Sequence, residues 1–260
     1  MSDRAPNRME PKSASFSAAA GQIFSYVEKI NPATSNLQFL TYGIYECAGR
    51  MQSGALAHPG EEALLFCVLG TTVVEVSGRA CRLEPYDVLY IPMGAAYRFR
   101  QDAGEARVAV CRAPATNAYE PFYARWAEFS RDERRLRHLQ GKDVVLMFDV
   151  TERADRLMAG FTLFQRHQRS WPPHKHSDQE EIYIFTRGRG SMEVYADEET
   201  KTFVRSVAAG DAVTIPMLNF HPVFTQDEEL HFIWCIAGER YWVGDKDKDF
   251  MAGQGDRPKR

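Results

Sequence analysis

The chain has 260 residues and a formal net charge of −3, a length that allows one large domain or two ordinary domains with buried cores. The nearly balanced charge gives no reason to expect a nucleic acid or a membrane surface as partner, and no apolar run approaches the roughly 18 residues of a membrane-spanning helix. The five cysteines are widely spread and lack CxxC spacing, which is typical of free thiols in a reducing compartment, so we expect a cytoplasmic protein.

The N-terminal part of the chain predicts short β-strands. Residues 1–20 are polar and lack the apolar stretch of a signal peptide, so a flexible segment is expected there. Over residues 21–116, short runs alternate apolar and polar residues between Gly, Pro and Asp, which is the pattern of half-buried strands. We therefore predict a first β-barrel domain over residues 21–116.

A charged connector follows over residues 117–142. Its pattern predicts a helix from about Glu120 to His138. The basic run from Arg131 to Arg137 could face an anionic partner, but a solvated helix face is the favoured interpretation. The connector is therefore expected to be partly helical and to join two domains.

Residues 143–245 repeat the strand pattern of the first domain. The blocks PYDVLYIPMGAAY and AGDAVTIPMLNFH nearly superimpose, since each has an Asp before an apolar strand and then Ile-Pro-Met. The first block ends on Tyr97 and the second on His221. This internal repeat predicts a second barrel over residues 143–245 and an all-β fold class. Residues 246–260 form a polar tail that is expected to fray.

The segment HKHSDQEEIYIF carries the most specific chemistry in the sequence. Strand alternation would place His174 and His176 on one face and Lys175 on the other. Glu181 follows after a short turn at the start of a predicted strand, and His221 ends a later one. Imidazoles with one carboxylate suit Zn, Mn, Fe, Ni or Cu and leave coordination positions open. The spacing therefore predicts one divalent-metal site built for catalysis.

The first barrel lacks an equivalent set of ligands. It has no HxH pair, and only Glu61 or Glu62 accompanies His58. We predict that this barrel binds no metal and that His58 is an ordinary loop residue. The barrel is expected to pack against its neighbour and shape the substrate cleft, or to form a dimer contact.

Both metal-bearing segments resemble the two sequence motifs of the cupin superfamily. The first motif, HxHxxxxExxxxxxG, is matched by His174, His176, Glu181 and Gly188. The second, GxxxxxPxGxxH, is matched at Gly210, Pro216 and His221, with Leu218 in place of its last Gly. The resemblance implies an all-β bicupin, with two jelly-roll-like barrels and a short helical connector.

Further segments narrow the resemblance to one family. WPPHKH, FHPV and AVCRAP are similar to 5-deoxyglucuronate isomerases, whose relatives include 4-deoxy-5-ketouronate isomerases. The resemblance implies an aldose-ketose isomerase that takes 5-deoxyglucuronate to 5-dehydro-2-deoxygluconate in myo-inositol catabolism. A Zn or Mn ion would stabilise the negative charge that develops on oxygen. The loop before Glu181 is shorter than is usual in the family, which bears on the identity of the sugar.

Individual roles follow from position in the sequence. Glu181 and Tyr183, two residues apart on one strand face, are the candidates for proton transfer. A substrate carboxylate favours a guanidinium partner, and Arg240 and Arg187 are the candidates. The expected partner is a small-molecule sugar acid, with no nucleic acid and no membrane. A homodimer is expected because cupin barrels often pair through strand edges.

Three alternatives remain open at this point. The same ligands could hold Fe, Ni or Cu in a metal-dependent dioxygenase. A non-catalytic sugar-binding or storage bicupin is a further class, although retention of all four ligands argues against it. Within the isomerases, the substrate could be another sugar acid such as 4-deoxy-5-ketouronate.

Overall fold

The computed structural model describes residues 12–15 and 23–238. The predicted tail over residues 246–260, most of the predicted flexible segment and Arg240 lie outside these residues. The described part divides into two compact units. One contains the residues up to Trp126 together with Arg153–Leu157, and the other contains Ala127–Glu152 and the residues from Met158 onward.

Strands make up nearly all of the regular structure. In the N-terminal unit they are β1 Lys12–Ser15, β2 Ile23–Ile30, β3 Thr41–Ala48, β4 Met51–Gln52, β5 Glu61–Gly70, β6 Thr72–Val76, β7 Arg79–Leu83, β8 Val88–Ile91, β9 Tyr97–Gln101, β10 Glu105–Pro114 and β11 Phe122–Ala124. The helix α1 spans Trp126–Phe129. The strands that follow are β12 Leu136–Leu139, β13 Lys142–Phe148, β14 Leu157–Phe164, β15 Gln179–Arg187, β16 Arg189–Tyr195, β17 Lys201–Ala208, β18 Ala212–Ile215, β19 Val223–Phe224 and β20 Leu230–Gly238.

The N-terminal unit is a barrel of two sheets. The larger sheet has the order β1-β2-β3-β10-β5-β8-β11 and the smaller one β4-β9-β6-β7. Both contribute to one apolar core, with Leu65 and Val108 from the larger sheet and Val74 and Phe99 from the smaller. Strand β6 alternates buried and partly exposed residues, as the period-two pattern predicts.

The C-terminal unit repeats this plan. Its larger sheet has the order β12-β13-β14-β20-β15-β18 and its smaller one β17-β16-β19. Phe185 and Phe232 from the first sheet pack with Met192 and Val207 from the second. Its six strands follow the order of the first six strands of the larger N-terminal sheet, and β11 is an additional strand in that sheet. The predicted internal repeat and the all-β fold class are confirmed.

The carboxylate of Glu62 has a structural part in the N-terminal unit. It is fully buried and accepts hydrogen bonds from the backbone N–H groups of Asp155, Arg156 and Leu157 at 2.9, 2.7 and 2.9 Å. The Tyr90 hydroxyl donates to it as well, at 2.9 Å. Glu62 therefore binds the segment Arg153–Leu157 into this unit.

The helix predicted over residues 120–138 is wrong in extent, since only Trp126–Phe129 is helical. The Asp132 side chain accepts a hydrogen bond from the backbone N–H of Arg134 at 3.1 Å, a local turn that competes with helix formation. Leu136–Leu139 then forms strand β12 and pairs with β13, because sheet pairing outweighs the local helical preference. The basic run therefore does not lie along one helix face.

No helix in the described ranges has both the length and the apolar character needed to cross a membrane.

Candidate metal centre

Three histidines from two separate loops meet in the C-terminal barrel. His174 and His176 lie in the segment before β15, and His221 lies in the loop after β18. Their candidate ligand nitrogens all lie within 4.8 Å of one another. The ring centroid of His174 is 5.3 Å from that of His176 and 4.4 Å from that of His221. Such convergence of imidazoles is the arrangement that a single transition-metal ion requires.

Glu181 joins the histidines from the start of β15. Its Oε2 atom lies 3.3 Å from Nε2 of His176 and 3.2 Å from Nε2 of His221. The strand that carries it is fixed between two neighbours, since Glu181 pairs with Ile215 of β18 and with Ile236 of β20. The structure thus brings together all four residues that the sequence predicts as metal ligands.

The donor atoms of this cluster fit a cation. His221 Nδ1 donates to the backbone carbonyl of Asn219 at 3.0 Å, so its Nε2 carries a lone pair. That lone pair faces the carboxylate oxygen of Glu181. Within the described part of the chain, Nε2 of His221, both ring nitrogens of His176 and Oε2 of Glu181 are buried without a hydrogen-bond partner. Buried acceptors that face one another are stabilised by a positive ion between them.

The charges of these groups also suit a metal. Burial lowers the pKa of His174 well below its usual value, and the neighbouring His221 and His176 lower it further. Burial by itself would raise the pKa of Glu181, but positive charge on the rings beside it, His176 and His221, lowers the pKa to about 2, and a bound cation would supply the same charge. Neutral imidazole and ionised carboxylate are the ligand forms. His174 and Glu181 are therefore in their ligand forms at neutral pH.

The sequence predicted that the HxH pair lies in a strand, and this prediction is wrong. Residues 173–176 have no regular secondary structure, a bend follows at residues 177–178, and β15 begins only at Gln179. The backbone N–H of Leu218 donates to the carbonyl of His176 at 2.7 Å, which ties the two ligand loops together. Lys175 turns away, with its Nζ 4.7 Å from the ring centroid of Phe220.

Leu218 occupies an unusual backbone conformation. Its φ is 63°, in the left-handed region that costs a branched residue about 1–2 kcal/mol. The equivalent position of the first barrel is Gly94, with a φ of 71°. The cupin motif has Gly at this position because the turn before the final ligand is left-handed.

A cavity of about 420 Å³ opens beside the histidines. Its walls include the metal-ligand candidates His174, His176 and Glu181. The remaining lining is partly apolar, from Val144, Phe164, Tyr183, Val223, Phe232 and Trp234, and partly polar, from Arg137, Gln140, Lys142, Thr162 and Gln168. At the surface, Trp171 is 60% exposed, and the guanidinium of Arg169 lies 3.9 Å from its ring centroid. The cavity is a mixed polar and apolar pocket of the kind that binds small ligands.

Tyr183 lies in the cavity wall beside the cluster. Its ring stacks on Phe232 at a centroid distance of 4.4 Å and lies 5.7 Å from the ring of His221. Burial raises the pKa of the phenol well above its usual value, and the negative charge of Glu181 raises it further. Tyr183 therefore keeps its proton at neutral pH and can donate a hydrogen bond into the cavity.

The two arginines predicted to bind substrate are not placed at the cluster. Arg187 is exposed at the far end of β15, about 20 Å along the strand from Glu181, and it is absent from the cavity walls. Arg240 lies outside the described residues. Sequence reasoning instead missed Arg137 and Lys142, which do line the cavity. The two-residue alternation of β12 could have identified Arg137, had the segment been predicted as a strand.

The corresponding place in the N-terminal barrel holds a hydrogen-bond network. The Tyr97 hydroxyl, in the position of His221, lies 2.7 Å from Nε2 of His58 and 2.8 Å from the hydroxyl of Tyr45. Arg112 approaches Nδ1 of His58 at 3.4 Å and donates to Glu61 at 2.6 Å. His58 lies in a loop, as predicted, and its side chain is part of this internal network.

The sequence matches the model of the KduI/IolB family over residues 13–252. A 5-deoxy-glucuronate isomerase from Listeria monocytogenes serotype 4a is 27% identical over 259 residues, which cover 86% of this chain and 90% of the relative. A 4-deoxy-L-threo-5-hexosulose-uronate ketol-isomerase from Bacillus pumilus is 28% identical over 193 residues, covering 70% of this chain and 68% of the relative.

Solved structures share the fold. An IolB-like protein from Salmonella typhimurium LT2 superimposes with a TM-score of 0.69 at 17% identity and covers 90% of this chain and 95% of its own. The oxalate decarboxylase of Lactobacillus farciminis gives a TM-score of 0.70 at 13% identity, with 95% and 92% covered. These neighbours confirm the predicted bicupin fold.

Proposed function

This chain belongs to the KduI/IolB family, and we propose that it is a metal-dependent aldose-ketose isomerase of a deoxy uronic acid. The substrate that fits best is 5-deoxyglucuronate, since a relative with 27% identity is named a 5-deoxy-glucuronate isomerase. The product would be 5-dehydro-2-deoxygluconate, in myo-inositol catabolism. The observation that carries the proposal is the convergence of three histidines and Glu181 at the wall of a cavity of about 420 Å³. Pockets of this size hold small ligands.

The metal would be held by His174, His176, Glu181 and His221. We propose Zn or Mn, since the reaction needs no change of oxidation state. When bound, a divalent ion supplies Lewis-acid stabilisation of the negative charge that develops on the substrate oxygens. The buried, mutually facing acceptor atoms of the cluster support this assignment.

Isomerisation also moves a proton between two adjacent carbons. Glu181 is ionised and lines the cavity, so it is our candidate to take the proton from the carbon next to the aldehyde and return it to the aldehyde carbon. Tyr183 holds its proton at Oη and would donate a hydrogen bond to the substrate oxygen that gains charge. The apolar side chains of Phe232 and Trp234 exclude water from this wall.

A second uronate is a reasonable substrate for the same site. The relative from Bacillus pumilus is named as a ketol-isomerase of 4-deoxy-L-threo-5-hexosulose-uronate, which also joins a carbonyl and a carboxylate through a short carbon chain. We further propose a cytoplasmic homodimer, supported by the terminal position of strand β12 in the order of the larger sheet.

Turnover without oxygen tests the proposed function. Zinc-loaded and manganese-loaded protein would be incubated with each uronate in a glove box, and the products would be separated by chromatography. We expect conversion of 5-deoxyglucuronate at the same rate under nitrogen and in air. A requirement for oxygen, with activity restored by Fe, Ni or Cu alone, would replace the isomerase by a dioxygenase.

A further inference from the structure

The hairpin β12–β13 places two basic side chains on the cavity face of the larger sheet. Arg137 pairs with Val144 and Leu139 pairs with Lys142. Directly opposed residues of antiparallel strands, and residues two apart on one strand, share a face. All four of these side chains line the cavity. Arg137 and Lys142 thus point into the space that His174, His176 and Glu181 border.

Burial makes this pair unusual. Arg137 is only 6% exposed. Burial lowers the pKa of Lys142 to about 8, with Glu181 acting in the opposite direction and Arg137 lowering the pKa further. Lys142 is also one of the charges that depress the pKa of His174. Lys142 therefore lies within electrostatic reach of Arg137 on one side and of the metal-ligand cluster on the other.

A guanidinium and an ammonium that line the same cavity together attract an anion more strongly than either cation alone. A guanidinium binds a carboxylate through two parallel hydrogen bonds, and an ammonium adds a further charge. An open six-carbon chain measures roughly 6 Å from end to end, from C–C bonds of about 1.5 Å. One such molecule can therefore reach from the cluster toward the hairpin inside the cavity.

We propose that Arg137 and Lys142 form the subsite that binds the carboxylate of an open-chain sugar acid and so make the enzyme selective for acids over neutral sugars. The inference rests on the proposed function for the direction of the substrate, with its carbonyl end at the metal cluster. Arg137 and Lys142 take the place of Arg187 as the partners of the carboxylate.

Paired substrates test the subsite. Rates for 5-deoxyglucuronate would be compared with those for 5-deoxyglucose, which has the same aldehyde end and a hydroxymethyl group in place of the carboxylate. We expect Arg137→Met and Lys142→Met each to lower kcat/KM for the acid about 10- to 100-fold, mainly through KM. The rate for the neutral sugar should change less than about threefold. Arg187→Met is the matched control and should change neither.

A binding measurement keeps the subsite distinguishable from the isomerase activity. Zinc-loaded wild type and variants would be titrated calorimetrically with D-glucuronate and with D-glucose. We expect glucuronate to bind the wild type and to bind Arg137→Met at least 10-fold more weakly, with Arg187→Met unchanged. If the wild type binds glucuronate selectively but converts no uronate, the proposed function fails and the subsite stands.

Equal losses for the acid and the neutral sugar, or an unchanged preference for the acid, would overturn the subsite. Circular dichroism and zinc content establish that each variant is folded. Should Arg137→Met not fold, Lys142→Met decides alone, and an unchanged acid preference in that variant rejects the proposal. A loss of kcat with KM and glucuronate affinity unchanged would make Lys142 a proton-transfer group and would equally reject it.

Discussion

The hydrogen bond from His221 to the carbonyl of Asn219 determines which nitrogen of that ring faces Glu181. A neutral imidazole has one donor and one acceptor nitrogen, so fixing Nδ1 as the donor leaves Nε2 as the acceptor. The contacts that hold the barrel core are separate from the ligands and involve Phe185, Phe232 and their neighbours. Removing one ligand should therefore weaken the metal site and leave the core intact.

Replacing His176 with Ala should abolish zinc retention while the fold persists. The imidazole is buried in the cluster and has two nitrogens without a hydrogen-bond partner among the described residues, so its main role is to bind the ion. Zinc content after dialysis, measured by elemental analysis, and far-ultraviolet circular dichroism would check this. His167→Ala, at the cavity rim, is the control and should retain zinc. Full occupancy in His176→Ala would reject the site.

Replacing Tyr183 with Phe should lower kcat by about 10²- to 10⁴-fold, the usual contribution of a positioned acid or base. The ring contacts with Phe232 and His221 remain, so KM and zinc content should change little. Steady-state kinetics on zinc-loaded protein would measure both constants. Wild-type kcat in this variant would remove Tyr183 from the mechanism.

The His58 network predicts a pH dependence of stability. Burial, followed by the nearby Arg112 guanidinium, lowers the pKa of His58 to about 4. Because the unfolded chain binds the proton at a pKa near 6.5, stability is lost as pH falls from about 6.5 to 4. We expect roughly 1–2 kcal/mol of this loss between pH 7.5 and 5 in urea unfolding. His58→Gln should lose less over that range, and an equal loss in both proteins would contradict the assignment.

At the scale of elements, the two copies of the repeat have different residues at the same left-handed turn. Leu218 and Gly94 both adopt a left-handed φ before the final ligand position. Leu218 is 53% exposed, so its side chain gains little from burial. The strain of this loop is therefore local and should be removable by a single substitution.

Leu218→Gly should stabilise the protein by about 0.5–1 kcal/mol, since the relieved strain exceeds the extra entropy of glycine in the unfolded chain. Gly94→Ala is the mirror variant, and it should destabilise by about 1 kcal/mol although the added Cβ meets no atom within 4 Å. Denaturant unfolding of both variants measures the two changes. A destabilised Leu218→Gly would show that the Leu side chain matters more than the turn.

Strand periodicity and motif spacing were sufficient to predict the barrels and the convergence of the three histidines with Glu181. The spacing of His174, His176 and Glu181 remains informative even though the HxH pair lies outside a strand, because both imidazoles still converge on His221. The connector could not be predicted in the same way. Strand β12 forms a hairpin with β13, but its charged sequence lacks the apolar alternation that marks a half-buried strand. For this reason the sequence pattern could not predict that Arg137 faces the cavity.

At the scale of the whole molecule, the C-terminal repeat contains the proposed metal ligands and the N-terminal repeat has other residues at the corresponding place. The same strand order carries a buried histidine and carboxylate cluster in the C-terminal barrel and a network of Tyr97, His58 and Arg112 in the N-terminal barrel. Hydrogen bonds and the Arg112–Glu61 ion pair at 2.6 Å link the polar groups at the first position. The duplicated fold therefore allows one barrel to carry the chemistry.

Proton NMR in D₂O under nitrogen tests the central claim most directly, with zinc-loaded protein and 5-deoxyglucuronate. Proton transfer between adjacent carbons predicts 5-dehydro-2-deoxygluconate that carries deuterium at the former aldehyde carbon, next to the new ketone. Absence of both conversion and exchange at high protein concentration, while an aerated sample consumes the sugar acid, would contradict the isomerase and favour an oxygenase.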